Sequence, residues 1–459
     1  MTGPGETIRL SDVVSALSAA LDLTEGQPMG HAVRSCILGM RIAELMQLPA
    51  ADCSDLYYAL LMKDAGCSSN SARMHQILGS DDLRAKREVK FEDWTKPSLS
   101  GLQYLLRNVL PGASLARRLV KSVQLGFEQN RNNAEVIGAR CERGAEIARK
   151  IGLSQASAEA IRGLDEHWSG RGYPEHRKGA EISILSRIMN VSQTLEVFAS
   201  TRSVAEAVQV VAERGGTWFD PEIVQVVRTL ERDTELWKRV QAPDAREYVV
   251  QMEPGIAVKA SPDRIDNICR AFAEVIDAKS PYTFTHSMGV AEAAVEMSEG
   301  LGLKPDVVNM VRRAALLHDV GKLGVSNAIL EKPGKLTSEE WQSMKMHPVY
   351  TQQILEKIPG FSQLASVAGA HHERLDGTGY PQGLAASQLP LEARIICVAD
   401  VYQALSERRP YREGLPPKTV FAMLDEDSEK RLDPECLEAL KERCPAEPAP
   451  KAAGAAAGR

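Results

Sequence analysis

The chain of 459 residues contains one unit twice, and this internal repeat limits the folds that it can adopt. The segment LSDVVSALSAALDLTEGQPMGH ends at His31, and the similar segment IDNICRAFAEVIDAKSPYTFTH ends at His286. The distance in sequence from His31 to KD at 63–64 equals the distance from His286 to HD at 318–319. Further along, GRGYP matches GTGYP, SRIMNVSQ matches ARIICVAD, and FDPE matches LDPE. The repeat predicts two tandem domains with the same architecture.

The composition favours helices for both copies. Hydrophobic residues make up 44% of the chain, aromatic residues only 5%, and stretches of alternating polarity are scarce. We therefore predict an all-α fold of two tandem helical bundle domains. The first occupies 1–240. It carries a helical insert at about 68–133, because the first copy has extra sequence between its KD pair and its GYP motif. The second occupies 262–444, after a proline-containing linker at 241–261. The tail 445–459 is expected to be disordered.

The charge of the chain excludes several kinds of partner. A formal net charge of −6 argues against a nucleic acid polymer or an anionic membrane as the main partner. No apolar stretch approaches the roughly 20 residues that cross a bilayer, and the first residues do not resemble a secretion signal. We therefore expect a cytoplasmic protein that is not inserted in a membrane.

Five of the nine histidines lie between residues 286 and 372, beside acidic residues. A single histidine would more often be a hydrogen-bonded core residue than a ligand. Here the HD and HH pairs follow apolar helical runs, where burial is costly unless the groups are paired or coordinated. We therefore interpret the cluster as a metal centre. The candidate ligands are His286, His318, Asp319, His347, His371, His372 and Asp400.

The ligand types in this cluster point to a phosphohydrolase. A carboxylate can bridge two cations, so Asp319 is assigned as the bridge and as a catalytic residue. Two metals about 3.5–4 Å apart suit in-line displacement at phosphorus, with a bridging hydroxide as the attacking group. Imidazole-rich ligation disfavours magnesium and calcium, and no thiolate is among the candidates, so two iron or manganese ions are expected.

Basic and aromatic residues near the ligands could hold an anionic substrate. Lys322, Arg409 and Arg412 are candidates for phosphate contact, and Lys322 is also a candidate catalytic residue. Each also has a plainer interpretation as surface charge. Gly379, Tyr380 and Pro381 form a turn after the histidine pair, and Tyr380 could equally pack structurally or line the substrate pocket.

The first copy has lost most of the candidate ligands. Lys63 replaces the first histidine of the HD pair, Arg140 stands opposite His347, and Gln193 stands opposite Asp400. Cationic side chains at ligand positions repel a metal, so the first copy is predicted to be metal-free. Because its helical landmarks remain, we expect a regulatory or dimerising domain, with a second copy or a signalling protein as its partner.

The motifs HDVGK, HHERLDGTGYP, ARIICVADVYQAL and RRPYR, in this order, resemble the HD-GYP family of phosphodiesterases, a branch of the HD phosphohydrolases. The resemblance covers about 262–440, and more weakly the first half. It implies an all-helical fold, an iron or manganese centre built on the seven candidate ligands, and hydrolysis of cyclic di-GMP to pGpG or GMP. It also implies phosphate contacts by Lys322, Arg409 and Arg412, and a signature turn at Gly379-Tyr380-Pro381.

Two departures from the family pattern affect these expectations. Members with three metals carry a glutamate where this chain has Tyr282, so two metals are expected. The usual acid after the last ligand is replaced by Gln403, which affects the support of the ligands rather than their number. Two alternatives stay open. The chain could be a signalling scaffold that binds a cyclic dinucleotide with little turnover, or an HD phosphohydrolase for another nucleotide, such as cyclic GMP-AMP, a dNTP or guanosine tetraphosphate.

Overall fold

The computed structural model describes residues 8–94, 98–127, 129–280, 285–407, 413–428 and 430–443. Within these ranges the chain forms α-helices and short 3-10 helices, and its β-structure is limited to isolated bridges. The predicted all-α fold is therefore confirmed. No helix among these residues is both long and apolar enough to cross a membrane.

The first half opens with three helices that bury their apolar faces against one another. They are α1 (Leu10–Thr24), α2 (His31–Leu45) and α3 (Ala50–Met62). The Asp22 carboxylate, at the end of α1, accepts hydrogen bonds from the backbone N–H groups of Gly30 at 2.7 Å and Ala32 at 2.9 Å. This contact satisfies free donors at the start of α2 and holds His31 in the interior.

Four complete helices lie in the segment predicted as an insert. They are α4 (Ser71–Leu78), α5 (Asp82–Val89), α6 (Leu99–Asn108) and α7 (Leu115–Phe127). Asp81 caps α5 by accepting from the N–H of Leu83 at 2.9 Å. A small separate core joins these helices through Leu78, Ala85, Val109 and Leu125.

The first unit continues after the insert with five helices. They are α8 (Gln129–Lys150), α9 (Gln155–Arg162), α10 (Ile184–Thr201), α11 (Val204–Glu213) and α12 (Pro221–Leu230). Pro221 occupies the first turn of α12, where its missing N–H costs nothing. Glycine is required at one close approach here, because a Cβ on Gly66 would lie 1.9 Å from the carbonyl oxygen of Arg140.

The end of the first unit and the connection after it pack against the preceding helices. The helix α13 (Thr234–Val240) ends the first unit, and α14 (Ala245–Gln251) lies in the connection. Trp237 and Val249 of these helices are buried. Beyond α14 the backbone pairs with the start of the chain, with Leu10 N–H donating to Val258 C=O at 2.7 Å. The residues 241–261 are thus an ordered, helix-containing connection, and their use as a domain boundary stays a prediction.

The second half repeats the order of the first. Its helices are α15 (Pro262–Asp277), α16 (His286–Gly300), α17 (Pro305–Leu317), α18 (Asn327–Leu330), α19 (Ser338–Lys345), α20 (His347–Leu355), α21 (Ser362–Gly369), α22 (Leu391–Ser406), α23 (Pro417–Asp427) and α24 (Pro434–Arg443). Ser261 caps α15 by accepting from the N–H of Arg264 at 3.2 Å. A Cβ on Gly321 would lie 1.9 Å from the carbonyl oxygen of His347, which reproduces the Gly66 contact.

The two halves share one hydrophobic core and several polar contacts. The main cluster of buried apolar side chains contains residues of both halves, from α1 to α24, and leaves out the separate core of α4 to α7. Across the boundary, Arg143 pairs with Glu274 at 2.7 Å. The Asp82 carboxylate, at the start of α5, accepts hydrogen bonds from the N–H of Asn327 at 2.7 Å and from the hydroxyl of Ser326 at 3.1 Å. An element of the insert therefore contacts the second half directly.

Candidate metal centre

The ends of several helices bring the seven candidate ligands together inside the second half. α16 begins at His286 and α20 begins at His347, while the HD and HH pairs follow the last residues of α17 and α21. Asp400 lies within α22. Six of the seven side chains are buried, and His372 is partly exposed. Helix ends suit this role because a side chain there can point along the axis into a shared centre.

Asp319 lies between two groups of histidines. Its Oδ2 atom is 3.3 Å from Nε2 of His318 and 3.9 Å from Nε2 of His286. Its Oδ1 atom is 3.4 Å from Nε2 of His347 and 3.5 Å from Nε2 of His371. Each carboxylate oxygen therefore faces a different pair of imidazoles, which is the arrangement that a carboxylate bridging two cations requires.

Asp400 contacts the pair of His286 and His318 and also reaches His372. Its Oδ1 atom is 3.2 Å from Nε2 of His286 and 3.9 Å from Nε2 of His318, and its Oδ2 atom is 3.7 Å from Nδ1 of His372. The second half contains three sets of residues whose potential ligand atoms lie within 4.8 Å of one another. Those sets are His286 with His318 and Asp400, His318 with Asp319 and His371, and His347 with His371 and His372.

Backbone carbonyl groups orient three of the histidines. Nδ1 of His318, His347 and His371 lies 2.6 to 2.7 Å from the carbonyl oxygen of the residue three positions earlier. Nδ1 must be the protonated nitrogen in such a contact, so Nε2 keeps its lone pair and faces the centre. Metal-binding histidines are usually held by a hydrogen bond of this kind.

Glu407 orients a fourth histidine and is absent from the sequence-based prediction. Its Oε2 atom lies 3.1 Å from Nδ1 of His286. Gln403 donates to the other oxygen of Glu407 at 2.9 Å, so the residue that departs from the family pattern supports this carboxylate. The position of Glu407 in the sequence gave a weak signal, because it follows the last residue of the helix that carries Asp400.

Burial and mutual contact shift the pKa values of these groups strongly. Burial alone would raise the pKa of Asp319 and Asp400, but the neighbouring histidines, with Lys322 at Asp319, hold both well below the usual carboxyl range. Burial lowers the pKa of His347 to about 3, so its imidazole is neutral at neutral pH and can act as a ligand. Two ionised carboxylates beside the neutral imidazole of His347 form a centre that a cation would stabilise.

Two buried atoms provide a direct test of whether a metal fits. Nε2 of His318 and Oδ1 of Asp319 have no hydrogen-bond partner of suitable geometry among the described residues. Leaving buried polar atoms unpaired costs about 1–3 kcal/mol each, and coordination would remove this cost. The donor set of imidazole nitrogens and carboxylate oxygens suits a transition metal better than magnesium or calcium.

Lys322 is the basic residue that the structure places at the centre. It lies on the 3-10 helix formed by 320–324, and its Nζ atom is 2.5 Å from Oδ2 of Asp319. Its side chain is 24% exposed, which leaves the ammonium group accessible to a substrate oxygen. The predicted residues Arg409 and Arg412 lie outside the described residues, as does Tyr282.

The GTGYP turn closes over the histidine pair. The Glu373 carboxylate accepts three backbone hydrogen bonds at 2.7 to 3.2 Å from the N–H groups of residues 382–384. A Cβ on Gly379 would lie 2.4 Å from Cα of Glu373, so only glycine allows this approach. The Tyr380 ring consequently lies 4.8 Å from the imidazole of His372. Tyr380 therefore borders the centre, which the sequence alone had left undecided.

Trp341 and Tyr380 together form an aromatic wall beside the centre. The Trp341 ring lies edge-on to Tyr380 with the centroids 5.7 Å apart, and 42% of the surface of Trp341 is exposed. The Lys345 ammonium lies 5.7 Å from the Trp341 ring and 5.9 Å from the Tyr380 ring. No motif marks Trp341, because only the packing of α19 against the GTGYP turn brings it to the centre.

The corresponding place in the first half is occupied by charged side chains. Lys63 pairs with Asp64, and Arg140 pairs with Asp165. Glu25, Asp64 and Cys67 form a group that could geometrically hold a metal. Lys90, however, lies 3.1 Å from Glu25. Ammonium and guanidinium groups thus already neutralise these acids, and the first half stays predicted to be metal-free.

Comparison with known proteins identifies the family. The sequence profile of a family described as HD domain matches residues 128–223 and 270–436. A protein of Vibrio cholerae named 3'3'-cGAMP-specific phosphodiesterase 3 is 42% identical over 436 residues, which covers 95% of this chain and 94% of the relative. This chain belongs to the HD domain family. The separate matches in the two halves agree with the internal repeat, and the HD-GYP resemblance is confirmed.

Other relatives match nearly the whole chain or only part of it. A crystal structure of a cyclic GMP-AMP specific phosphodiesterase of Vibrio cholerae is 37% identical, with a TM-score of 0.66, and covers 95% of this chain and 98% of that chain. A cyclic di-GMP phosphodiesterase response regulator of Xanthomonas campestris is 39% identical over 170 residues, or 37% of this chain and 45% of the relative. The tandem arrangement is therefore shared with the first of these proteins.

Proposed function

We propose that this HD domain protein is a metal-dependent phosphodiesterase that hydrolyses a cyclic dinucleotide to a linear dinucleotide, to mononucleotides, or to both. The observation that carries the proposal is the position of Asp319, whose two oxygens face different pairs of histidines. A centre for two ions, built on all seven candidate ligands, accounts for this arrangement. The imidazole-rich ligand set favours iron or manganese as the ions.

The residues of the centre have different roles in hydrolysis. When bound, two divalent cations would lower the pKa of water and stabilise charge on the phosphate. Asp319 and Asp400 hold the centre together, while the backbone-anchored histidines fix its shape. Lys322, 2.5 Å from Asp319, is placed to donate a hydrogen bond to a phosphate oxygen and to stabilise the charge that develops there. Arg409 and Arg412 are proposed as further phosphate contacts from the family resemblance.

The aromatic wall supports a nucleotide as the substrate. Tyr380 lies beside the ligand His372, and Trp341 continues the surface away from the centre. Nucleobases stack on exposed aromatic rings, with a contribution of about 1–3 kcal/mol per base. A cyclic dinucleotide that presents one phosphate to the centre can direct a base toward Trp341. This surface is of little use to a substrate without a planar ring.

Two cyclic dinucleotides are the first candidates. The relative that covers almost the whole chain is named for 3'3'-cGAMP, and relatives that match about a third of the chain are named for cyclic di-GMP. We therefore propose 3'3'-cGAMP and cyclic di-GMP as substrates, in this order. The tandem arrangement that is shared with the cGAMP-specific relative favours the first.

Turnover by purified protein tests this proposal. The intact chain, loaded with iron or manganese, should convert at least one of the two cyclic dinucleotides to linear products, while His318→Ala should not. A dNTP and guanosine tetraphosphate in the same panel separate the proposal from other HD phosphohydrolase activities. A His176→Ala variant is a matched control, because His176 lies in the first half, away from the centre. Tight binding without turnover would instead favour a signalling scaffold.

The first half is proposed to regulate the second or to mediate assembly with a second copy or a signalling protein. The supporting observation is the Asp82 contact, which joins the insert to residues 326–327, directly after the 3-10 helix that carries Lys322. Asp82→Ala should change turnover without changing metal content. Unchanged turnover and unchanged oligomeric state would count against this role. Residence in the cytoplasm stays a prediction.

A further inference from the structure

A cavity in the first half takes the place that the metal centre has in the second. It measures about 170 Å³ and lies between α5, α8 and α10. Arg140, Asp165 and Gln193 line it, and the repeat aligns them with His347, His372 and Asp400 in the second half. The cleft of the unit has therefore stayed open although the ligand residues have been replaced.

Cationic side chains surround this cavity. The Glu25 carboxylate lies 3.1 Å from Lys90, 3.7 Å from Lys86 and 4.0 Å from Arg140. The cations that line the cavity are Lys86, Lys90 and Arg140, and the acids that line it are Glu25 and Asp165. Cations therefore outnumber acids among the residues that line this cavity. Side-chain cations can hold a phosphate group as metal ions do, but they do not activate water to attack it.

Aromatic rings form another wall of the same cavity. The His167 imidazole stacks on Trp218 with the centroids 4.0 Å apart, and Trp94 lies 4.8 Å from His167. A second cavity of about 380 Å³ adjoins the first, and Trp94 lines both. The two together fall in the range of about 300–1,000 Å³ that is usual for small-molecule sites.

Buried polar atoms around the cavities lack partners. Oδ1 of Asn70, Nδ1 of His167 and Oε2 of Glu92 have no hydrogen-bond partner among the described residues. Asn70 and His167 are 4% and 1% exposed and line the smaller cavity, and Glu92 lines the larger one. A carboxylate accepts hydrogen bonds and donates none, so Glu92 suits the ring N–H and amino group of a guanine.

We propose that this pair of cavities binds a guanine nucleotide and does not hydrolyse it. The phosphate lies at Lys90 and Arg140, the base lies along Trp94, and Glu92 accepts hydrogen bonds from the edge of the base. The proposal concerns the first half alone and does not depend on which substrate the second half cleaves.

Binding to a chain without a working metal centre tests the proposal. Full-length His318→Ala protein in a chelating buffer is titrated with GMP, AMP, inorganic phosphate and decanoate by calorimetry. We expect saturable binding of GMP that is at least about tenfold tighter than that of phosphate, and about fivefold tighter than that of AMP. Adding Lys90→Gln should weaken GMP binding about tenfold or more, because a charged hydrogen bond is lost. Lys238→Gln, an exposed lysine on α13, should leave it unchanged.

A second variant keeps the test informative if Lys90→Gln does not fold. Glu92→Gln leaves the phosphate contacts in place and should remove the preference for GMP over AMP. The proposal is overturned by the absence of saturable GMP binding, by phosphate binding as tightly as GMP, or by equal GMP affinity in the Lys90→Gln and Lys238→Gln proteins. Binding of decanoate without binding of GMP also overturns it and identifies an apolar acid as the ligand. Each of these outcomes leaves turnover by the second half untouched, so the two proposals fail separately.

Discussion

The two halves of the chain keep the same supports and differ at the centre. In both, a glutamate anchors the GYP turn: Glu166 accepts from the N–H of Glu175 at 2.6 Å, and Glu373 accepts from that of Gln382 at 2.7 Å. In both, an arginine of a central helix pairs with the aspartate of the DPE motif, at 2.5 Å in the first half and 3.1 Å in the second. The fold of the unit therefore does not depend on the metal ligands.

The first histidine of each half shows how the chemistry has diverged. His286 faces Asp319 and Asp400, and although burial alone would lower its pKa, contacts with Asp400 and Glu407 raise it to about 9. His31 contacts Glu196, and burial together with the charge of Lys63 lowers its pKa to about 4. His286 lies among carboxylates that a cation would stabilise, whereas His31 already lies near the ammonium group of Lys63. The same residue in the same fold thus has opposite electrostatic surroundings.

The largest difference between the halves is expected from their matching aspartates. Asp319→Asn should remove bound metal and lower turnover about a thousandfold or more, because several kcal/mol of charge stabilisation are lost. Asp64→Asn, the matching change in the first half, should leave metal content unchanged. Elemental analysis and turnover of both proteins measure this. Equal metal content in the two variants would contradict the assignment of the second half as the metal-binding one.

Glu407 should tune the centre without being part of it. Glu407→Gln weakens the hold on His286, and loss of such a support typically costs about 10–100-fold in metal affinity. A chelator competition titration measures the change. Glu426→Gln, an exposed glutamate on α23, serves as the control. A variant whose metal affinity equals that of the control would show that the contact with His286 is only structural.

Lys322 should affect turnover more than metal binding. Lys322→Met removes one charged hydrogen bond to the phosphate, which corresponds to about a tenfold to hundredfold loss in kcat. Metal content should stay the same, since a metal would replace the ammonium beside Asp319. Lys304→Met, an exposed change at the start of α17, is the control. Full turnover in Lys322→Met would remove this residue from the catalytic group.

Trp341 should act on substrate affinity alone. Trp341→Ala should raise KM for a cyclic dinucleotide about fivefold to a hundredfold, in line with the loss of one stacked base, while kcat changes little. Trp341→Phe should recover most of the affinity. Metal affinity, measured by chelator competition, should be unchanged. A loss of metal affinity or of kcat would point to a disturbed centre instead.

The smallest effect is expected from a buried histidine of the first half. Burial lowers the pKa of His167 to about 3, whereas an unfolded histidine titrates near 6.5. Below about pH 6.5 the unfolded chain therefore binds a proton that the folded chain rejects, so the stability contributed by His167 declines as the pH falls. The metal-free protein should have a higher melting temperature than its His167→Gln variant. This difference should be smaller at about pH 5 than at about pH 7.5. An equal difference at both pH values would contradict the shift.

Most of the fold and the positions of the ligands were accessible from the sequence. The repeat and the helical periodicity predicted an all-α fold in two units, because these are local properties that tertiary packing rarely reverses. The HD and HH pairs could be placed at helix ends for the same reason. The structure brings all seven candidate ligands into one centre, although their assignment as ligands stays a proposal until metal is measured.

Residues that act through long-range packing could not be predicted. Trp341 reaches the centre only because α19 packs beside the GTGYP turn, and Asp82 reaches Asn327 only because the insert folds against the second half. The connection 241–261 was expected to be a linker because it has little periodicity, yet its short helix buries Val249. Such contacts join residues that are far apart in the sequence, so local sequence patterns do not predict them.

The hydrophobic core that the two halves share has a practical consequence for protein engineering. A fragment that begins near residue 262 would expose apolar faces of α15 and α20 to water, and it would leave Lys279, now buried beside Asp82, without that carboxylate. The second half is therefore not a module that can be transplanted by itself. A chimera with another sensory domain would have to keep α1 and α5, and a designer should exchange residues inside the first half rather than the half as a whole.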